Sequence, residues 1–230
     1  MDGDSEMMPE GWIREDYLES SELCDFESCP SIRAKTEELT GHCGSDKEKF
    51  QWLFDFVKEI PYGLEDWDVP ASETLAKGWG MCSGKANLLV AMLRSVGIPA
   101  RYRVYKIRAE VGLWKTMARD RLLAEGLGEA PEEQDHVDCE VWLGEWVACD
   151  PARDTGMERG MMALGIPLER KLVAGARGAA PYVVLPSLDR WARRRQERRR
   201  FREDREGMFS RVNRQLDELR KLGGERGGSR

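Results

Sequence analysis

The sequence predicts an α+β domain, and three observations carry that prediction. Helical signals with their own starts and stops run up to residue 97. Among them a central helix, from about Met81 to Val96, is apolar on most of its faces. Beyond Pro99 the period changes to two, in ARYRVYKIR and again in HVDCEVWLGEWVACD, which read as a strand and then a hairpin.

With 230 residues and 41 % hydrophobic content, the chain can bury the core of one ordinary domain. Its 42 acidic and 36 basic residues leave a formal charge of −6, which excludes a uniformly basic nucleic-acid binder. Eight Trp, six Phe and five Tyr exclude wholesale disorder. The opening MDGDSEMMPE has neither the basic start nor the apolar run of a signal peptide, and no later apolar run approaches 18 residues. A soluble, cytoplasmic protein without membrane association is expected. Six cysteines in such a chain read as thiols. Cys24, Cys29, His42 and Cys43 match the spacing of no common zinc finger, so neither metal nor cofactor is expected.

Residues 1 to about 30 are acidic with few periodic apolar positions, which predicts an extended arm anchored by Trp12, Tyr17 and Phe26. The first helix begins at Ser45, where Ser45 and Glu48 form a capping box ahead of Phe50, Leu53, Phe54 and Val57, and Pro61 ends it. Ser72 caps a short helix to Lys77, with Gly78 as its left-handed stop. The central helix turns Leu89, Val90 and Leu93 inward and stops at Gly97. After the strand from Ala100 to Arg108, the stretch from Glu110 to Asp135 reads as an inserted amphipathic helix, LWKTMARDRLLAEGLG, and an acidic loop. The hairpin turns near Gly144. A Gly-rich region, a short strand in PYVVLP and a basic tail from Ser187 follow. The expected organisation is an N-terminal arm over 1–44, a domain over 45–186 and a helical tail over 187–230.

Chemistry has few places to go, because only two histidines occur. His42 lies in a loop and reads as structural or exposed, whereas His136 opens a strand. Cys82 stands in the first turn of the central helix, after Gly80 and Met81. There the free N–H groups and the positive end of the dipole favour thiolate, and can lower a cysteine pKa from about 8.5 to between roughly 3.5 and 7.5. The same N–H groups suit a developing oxyanion. Side-chain parity in the hairpin supplies the partner. His136, Asp138 and Glu140 alternate with Val137, Cys139 and Val141, and Trp146, Ala148 and Asp150 alternate with Val147 and Cys149. A register that puts both apolar sets on one face, with the loop centred at Leu143, sets His136 directly opposite Asp150. An Asp on one imidazole nitrogen fixes the tautomer, leaving the other nitrogen to take a thiol proton and return it to a leaving amine. A triad of Cys82, His136 and Asp150 follows if the helix end docks on the hairpin. Cys139 and Cys149 read as core, and Glu140 and Trp142 as support for the sheet.

Three blocks in order, SETLAKGWGMCSGKANLLVAMLRSVGIPARYRVY, HVDCEVWLGEW and VACDPARD, resemble transglutaminase-like proteins of the papain-like cysteine hydrolase superfamily. The resemblance runs from roughly Phe50 to Arg153. It implies a papain-like/transglutaminase-like core in which the helix bearing the nucleophile packs on an antiparallel sheet presenting the His and Asp. It also implies acyl transfer through a thioester at Cys82, ending in hydrolysis or in transfer to an amine. Relatives draw a second oxyanion donor from an indole or phenol upstream of the nucleophile; Tyr62, Trp67 and Gln51 are available, and Tyr62 in EIPYG is the choice. Asp138 departs from the family, which often has an aromatic two residues after the His. That departure bears on substrate contacts or on the imidazole's electrostatics and leaves the triad intact.

From Ser187 the tail holds 15 basic and 8 acidic residues, net +7, leaving 21 and 34, net −13, for residues 1–186. A helix expected from Ser187 to Leu222 carries an apolar stripe of Phe201, Met208, Phe209, Val212, Leu216 and Leu219. Such a stripe needs a partner: first the acidic body of the same chain, then a second subunit, then nucleic acid. Docking by charge would weaken as ionic strength rises. The expected activity is cysteine-dependent hydrolysis of a peptide, isopeptide or other amide bond. Protein-glutamine amine transfer, or a non-catalytic scaffold assembling through the basic helix, are the alternatives.

Overall fold

The computed structural model describes residues 15–108, 133–169, 172–173, 181–199 and 205–227. Helices α1 (Pro30–Thr40), α2 (Asp46–Glu59), α3 (Ala71–Lys77) and α4 (Cys82–Ser95) precede a four-stranded antiparallel sheet. Its strands β1 (Ala100–Arg108), β2 (Glu133–Trp142), β3 (Trp146–Cys149) and β4 (Tyr182–Leu185) lie in the order β3-β2-β1-β4. Three further helices, α5 (Thr155–Ala163), α6 (Asp189–Arg199) and α7 (Arg205–Gly227), complete the described chain.

α4 is the centre. It packs against α1, α2 and α3 and against β1 and β2, so every residue from Cys82 to Arg94 is buried, as its apolar composition predicts. Its polar side chains end on main-chain carbonyls: Asn87 Nδ2 donates to Val69 O (2.9 Å), and Arg94 to the carbonyls of Glu19, Ala100 and Pro186 (each 2.7 Å). Burial without partners would cost these groups several kcal/mol each, roughly, so the carbonyls are what make the helix tolerable at the centre.

The expected N-terminal arm keeps its anchors, with Tyr17 and Phe26 buried and Trp12 outside the described residues, but from Pro30 on it is corrected by the structure. Leu23, Cys24, Phe26 and Ile32 join the main core, and α1 begins with Pro30 at its first turn. The helical period is hidden because Thr36 and Thr40 occupy its buried face, their hydroxyls donating back to Ile32 O and Thr36 O (2.8 Å each). Ser72 is not the cap of α3. Asp25, far away in the chain, accepts from Ser72 N (3.0 Å) and Ser72 Oγ (2.5 Å) and does that work. The Ser45 cap holds, with Glu48 N donating to Ser45 Oγ (3.3 Å) while the Glu48 carboxylate accepts from Gly44 N (2.8 Å).

In the hairpin, Cys139 pairs with Cys149 and Val141 with Val147, so the turn centres on Gly144 rather than Leu143. Gly144 has φ +94°, a conformation that a leucine does not readily adopt. The pairing moves by two positions, so the apolar sets still meet, but Asp150 lies just past the end of β3 instead of directly opposite His136. β2 also starts earlier than expected: Glu133, Gln134 and Asp135 pair with Arg108, Ile107 and Lys106. His136 therefore sits inside a strand, across from Tyr105. The expected inserted helix falls outside the described residues, as does Phe201.

The tail lies on the body. Leu188 and Ala192 enter the main core, and Trp191 meets Trp67 edge to face, centroids 5.0 Å apart. α7 lays Val212, Leu216 and Leu219 against Met157, Met161 and Ile166 in a second core. The crossing of α5 and α7 is close enough that a Cβ on Gly160 would stand 2.1 Å from Leu219 O. α5 itself was hidden by glycines in the sequence; Asp154 caps it, accepting from Met157 N (2.8 Å). No helix among the described residues is long and apolar enough to cross a membrane.

Candidate active site

Cys82 is the first residue of α4 and is buried; the preceding Met81 is extended and offers no side-chain cap. A residue that sequence reasoning missed takes that place. Glu65 Oε1 accepts from Met81 N (2.8 Å), and its other oxygen is paired with Lys77. Burial pushes the Glu65 carboxyl up, against the opposing pull of Lys77 and the Met81 N–H. No local signal marks this residue, since it lies 16 positions before Met81.

In the same first turn, Lys85 is fully buried and donates to three carbonyls: Ile60 O (2.5 Å), Ala152 O (3.0 Å) and Lys58 O (3.2 Å). Burial lowers its pKa to about 7, with Asp154 acting in the opposite direction.

His136 and Asp150 meet. His136 Nε2 lies 2.9 Å from Asp150 Oδ2, and Asp150 Oδ1 accepts from Ala152 N (2.9 Å). Thus Lys85 and Asp150 hold the two sides of one residue, which ties the first turn of α4 to the carboxylate behind the imidazole. β2 runs alongside α4 in the same direction: Trp142 N donates to Pro99 O just beyond the helix (2.9 Å), and Cys139 Sγ lies 3.7 Å from Ala86 O. Following both elements back from that last contact leads to Cys82, one turn away, and His136, three residues away. The structure therefore carries Cys82, His136 and Asp150 to the same end of the α4 and β2 pair.

Asp138, the departure from the family pattern, is buried and fully engaged. It accepts from Arg103 Nε (2.8 Å), Arg103 Nη2 (2.6 Å) and Tyr105 Oη (2.7 Å). The Tyr105 ring stands edge-on to His136 with centroids 5.3 Å apart, so the aromatic neighbour of the imidazole comes from the opposite strand. His136, Asp138 and Asp150 place possible metal-ligating atoms within 4.8 Å of one another. Arg103 and Tyr105 bond both oxygens of Asp138, and Asp150 bonds the imidazole, so all three groups are engaged within the protein.

Tyr62 follows the end of α2 and forms a bridge with Gly80, two residues before Cys82. Gly80 N donates to Pro61 O (3.0 Å) and Gly63 N to Gly80 O (3.1 Å). The other two residues considered with it lie elsewhere: Trp67 is buried against Trp191, and Gln51 donates to Asp55 (2.9 Å) on the exposed face of α2. Glu140 pairs with Arg101 (2.7 Å) and Trp142 packs on Trp146, both supporting the sheet. All six cysteines are unbridged thiols, and burial raises Cys24 to about 11 and Cys139 well above the usual range. His42 is exposed beside Trp52, centroids 5.2 Å apart.

A sequence model of the Transglutaminase-like superfamily matches residues 33–151, from α1 to the residue after Asp150. The chain belongs to that superfamily, a class of cysteine-dependent hydrolases and transferases. Among solved structures it is similar to a protein from Cytophaga hutchinsonii described as a "Putative Cysteine Protease", with 18 % identity and a TM-score of 0.43. The match covers 80 % of this chain and 52 % of that one, so this chain spans about half the length of that neighbour. No curated protein matches the sequence.

Proposed function

We propose that the protein transfers acyl groups through a thioester at Cys82, with His136 as general acid and base and Asp150 as its orienting carboxylate, and that water is the usual acceptor. The observation that carries this reading is the contact of His136, inside β2, with Asp150: Nε2 lies 2.9 Å from Oδ2. It commits Nε2 to the carboxylate and leaves Nδ1 for the sulfur. The Cys82 thiol gives its proton to Nδ1, and the thiolate attacks the carbonyl carbon of an amide. As the C–N bond breaks, the imidazolium returns the proton to the leaving amine. Water, deprotonated by His136, then attacks the thioester, releasing a carboxylic acid and the free thiol. Backbone N–H groups at the start of α4 and the Tyr62 phenol serve the oxyanion in both halves. The substrate class is a peptide, isopeptide or other amide bond.

Iodoacetamide labelling across pH tests the nucleophile. Cys82 should alkylate with an apparent pKa below about 8, ahead of the other thiols, and His136→Ala should slow it. A Cys82 no more reactive than the other five cysteines overturns the reading. Mass spectrometry of lysate incubated with wild type or Cys82→Ala then identifies the bond cut, and a primary-amine probe separates hydrolysis from amine transfer.

A further inference from the structure

The segment from Tyr62 to Leu64 is an extended piece one residue wide in the sheet sense, bridged on one edge to Gly80. Among the described residues no strand lies along its other edge. The main-chain groups there are nevertheless bonded, and side chains do it. Asp154 Oδ2 accepts from Tyr62 N (2.8 Å), and Arg220 Nη2 donates to Tyr62 O (2.5 Å). Asn213 then acts as a strand would, its Oδ1 accepting from Leu64 N (2.6 Å) and its Nδ2 donating to Leu64 O (3.0 Å). Arg220 also donates to Asp154 from Nη2 (2.7 Å) and Nε (3.1 Å), so one guanidinium holds both the segment and the carboxylate that bonds it. Asn213 and Arg220 are seven apart on α7 and so share a face, the one that Leu216 shows to the second core.

We infer that α7 belongs to the acyl-transfer machinery: Asn213 and Arg220 are positioning residues that hold the Tyr62–Leu64 segment against Gly80, and through it the oxyanion side of the site. This rests on the proposed acyl transfer. Arg220 and Asn213 lie 158 and 149 residues from the groups they hold, so the C-terminal helix completes the site in cis. A displaced segment would move Tyr62 away from the residues just before Cys82 while leaving His136, Asp150 and the α4 end in place.

Two reagents separate these effects. Iodoacetamide is attacked by the thiolate with loss of iodide and forms no oxyanion. p-Nitrophenyl acetate is attacked at a carbonyl carbon, forms an oxyanion, and releases p-nitrophenolate as the acyl group passes to sulfur. Asn213→Ala, and Arg220→Lys, which keeps the charge but loses the fork, should each reduce acylation by about tenfold, less than the 10²–10³ that loss of an oxyanion donor itself brings. Alkylation should stay within about twofold, since neither variant touches the dipole or the imidazole that set thiolate content. Glu218→Ala, on the exposed side of α7, should change neither rate. The inference fails if acylation and alkylation fall together, if neither moves, or if both variants lose their folded circular dichroism, which would make these contacts purely structural. Failure of the acyl-transfer reading looks different: wild type itself would not be acylated at Cys82.

Discussion

Glu65 places a carboxylate on the N–H of Met81, at the end of the helix where the proposed acyl transfer would have Cys82 hold negative charge as a thiolate. The carboxylate satisfies a helix donor that Met81 cannot cap, yet it opposes the thiolate electrostatically. Lys77 shares the carboxylate and offsets part of that opposition. Glu65→Gln keeps an acceptor for Met81 N and removes the charge, so the alkylation pKa of Cys82 should fall by roughly half a unit or more. A pKa that stays or rises would mean the thiol does not feel Glu65. The two asparagines of the chain, Asn87 and Asn213, show the same economy of residue types: each spends its amide on main-chain groups, of Val69 and of Leu64.

Among the elements, α5 and α7 cross where two preferences conflict at Gly160. Alanine would raise intrinsic helix stability there by about 1 kcal/mol. Its Cβ, however, would stand 2.1 Å from the carbonyl oxygen of Leu219, a backbone atom that cannot swing aside. Strain of this kind costs about 1–3 kcal/mol, so Gly160→Ala should lower the denaturant midpoint, and a raised midpoint would mean the two helices separate without cost. The Asp25 cap on α3 and the threonines in α1 belong to the same scale. Each is a local rule met by a residue that the local sequence does not point to.

For the whole molecule, the contrast of −13 against +7 pointed to charge as the force that docks the tail. In the structure, Val212, Leu216 and Leu219 are buried on Met157, Met161 and Ile166, and the ion pair at that contact joins a buried Asp154 to a half-buried Arg220. Neither is screened as surface charges are. Protease sensitivity of α7 should therefore change little between about 0.1 and 1 M NaCl, although the Debye length falls from about 10 to 3 Å; release in high salt would return the docking to surface charge. Acid is different. Burial alone would raise the Asp154 carboxyl, but Arg220 and the N–H groups of Tyr62 and Met157 outweigh it and hold the pKa below the ordinary value. A depressed carboxyl contributes stability that is present above the unfolded pKa and is lost as pH falls through the folded one. Asp154→Asn should cost about 3 kcal/mol near neutrality, as breaking a buried pair does. The gap to wild type should close in denaturant titrations below about pH 4, and a gap that persists there would place its origin outside the ion pair.

The sequence by itself determined the elements whose cause is local. Amphipathic spacing gave α2, apolar composition gave α4, and alternation gave β1 and the hairpin, while the start of α4 marked Cys82 and parity put His136 and Asp150 on one face. Parity survives a shift of two, so the sequence could name the pair without its register; the register waited on Gly144 and its positive φ. Tertiary structure decided what depends on partners far along the chain: the helix α1 behind its threonines, the cap from Asp25, Glu65 on Met81, and Tyr105 in place of an aromatic at 138. It decided, too, that the tail completes the body. Single hydrogen bonds such as those of Asn213 and Arg220 have no period and no sequence neighbour, and only packing brings them to the residues they hold.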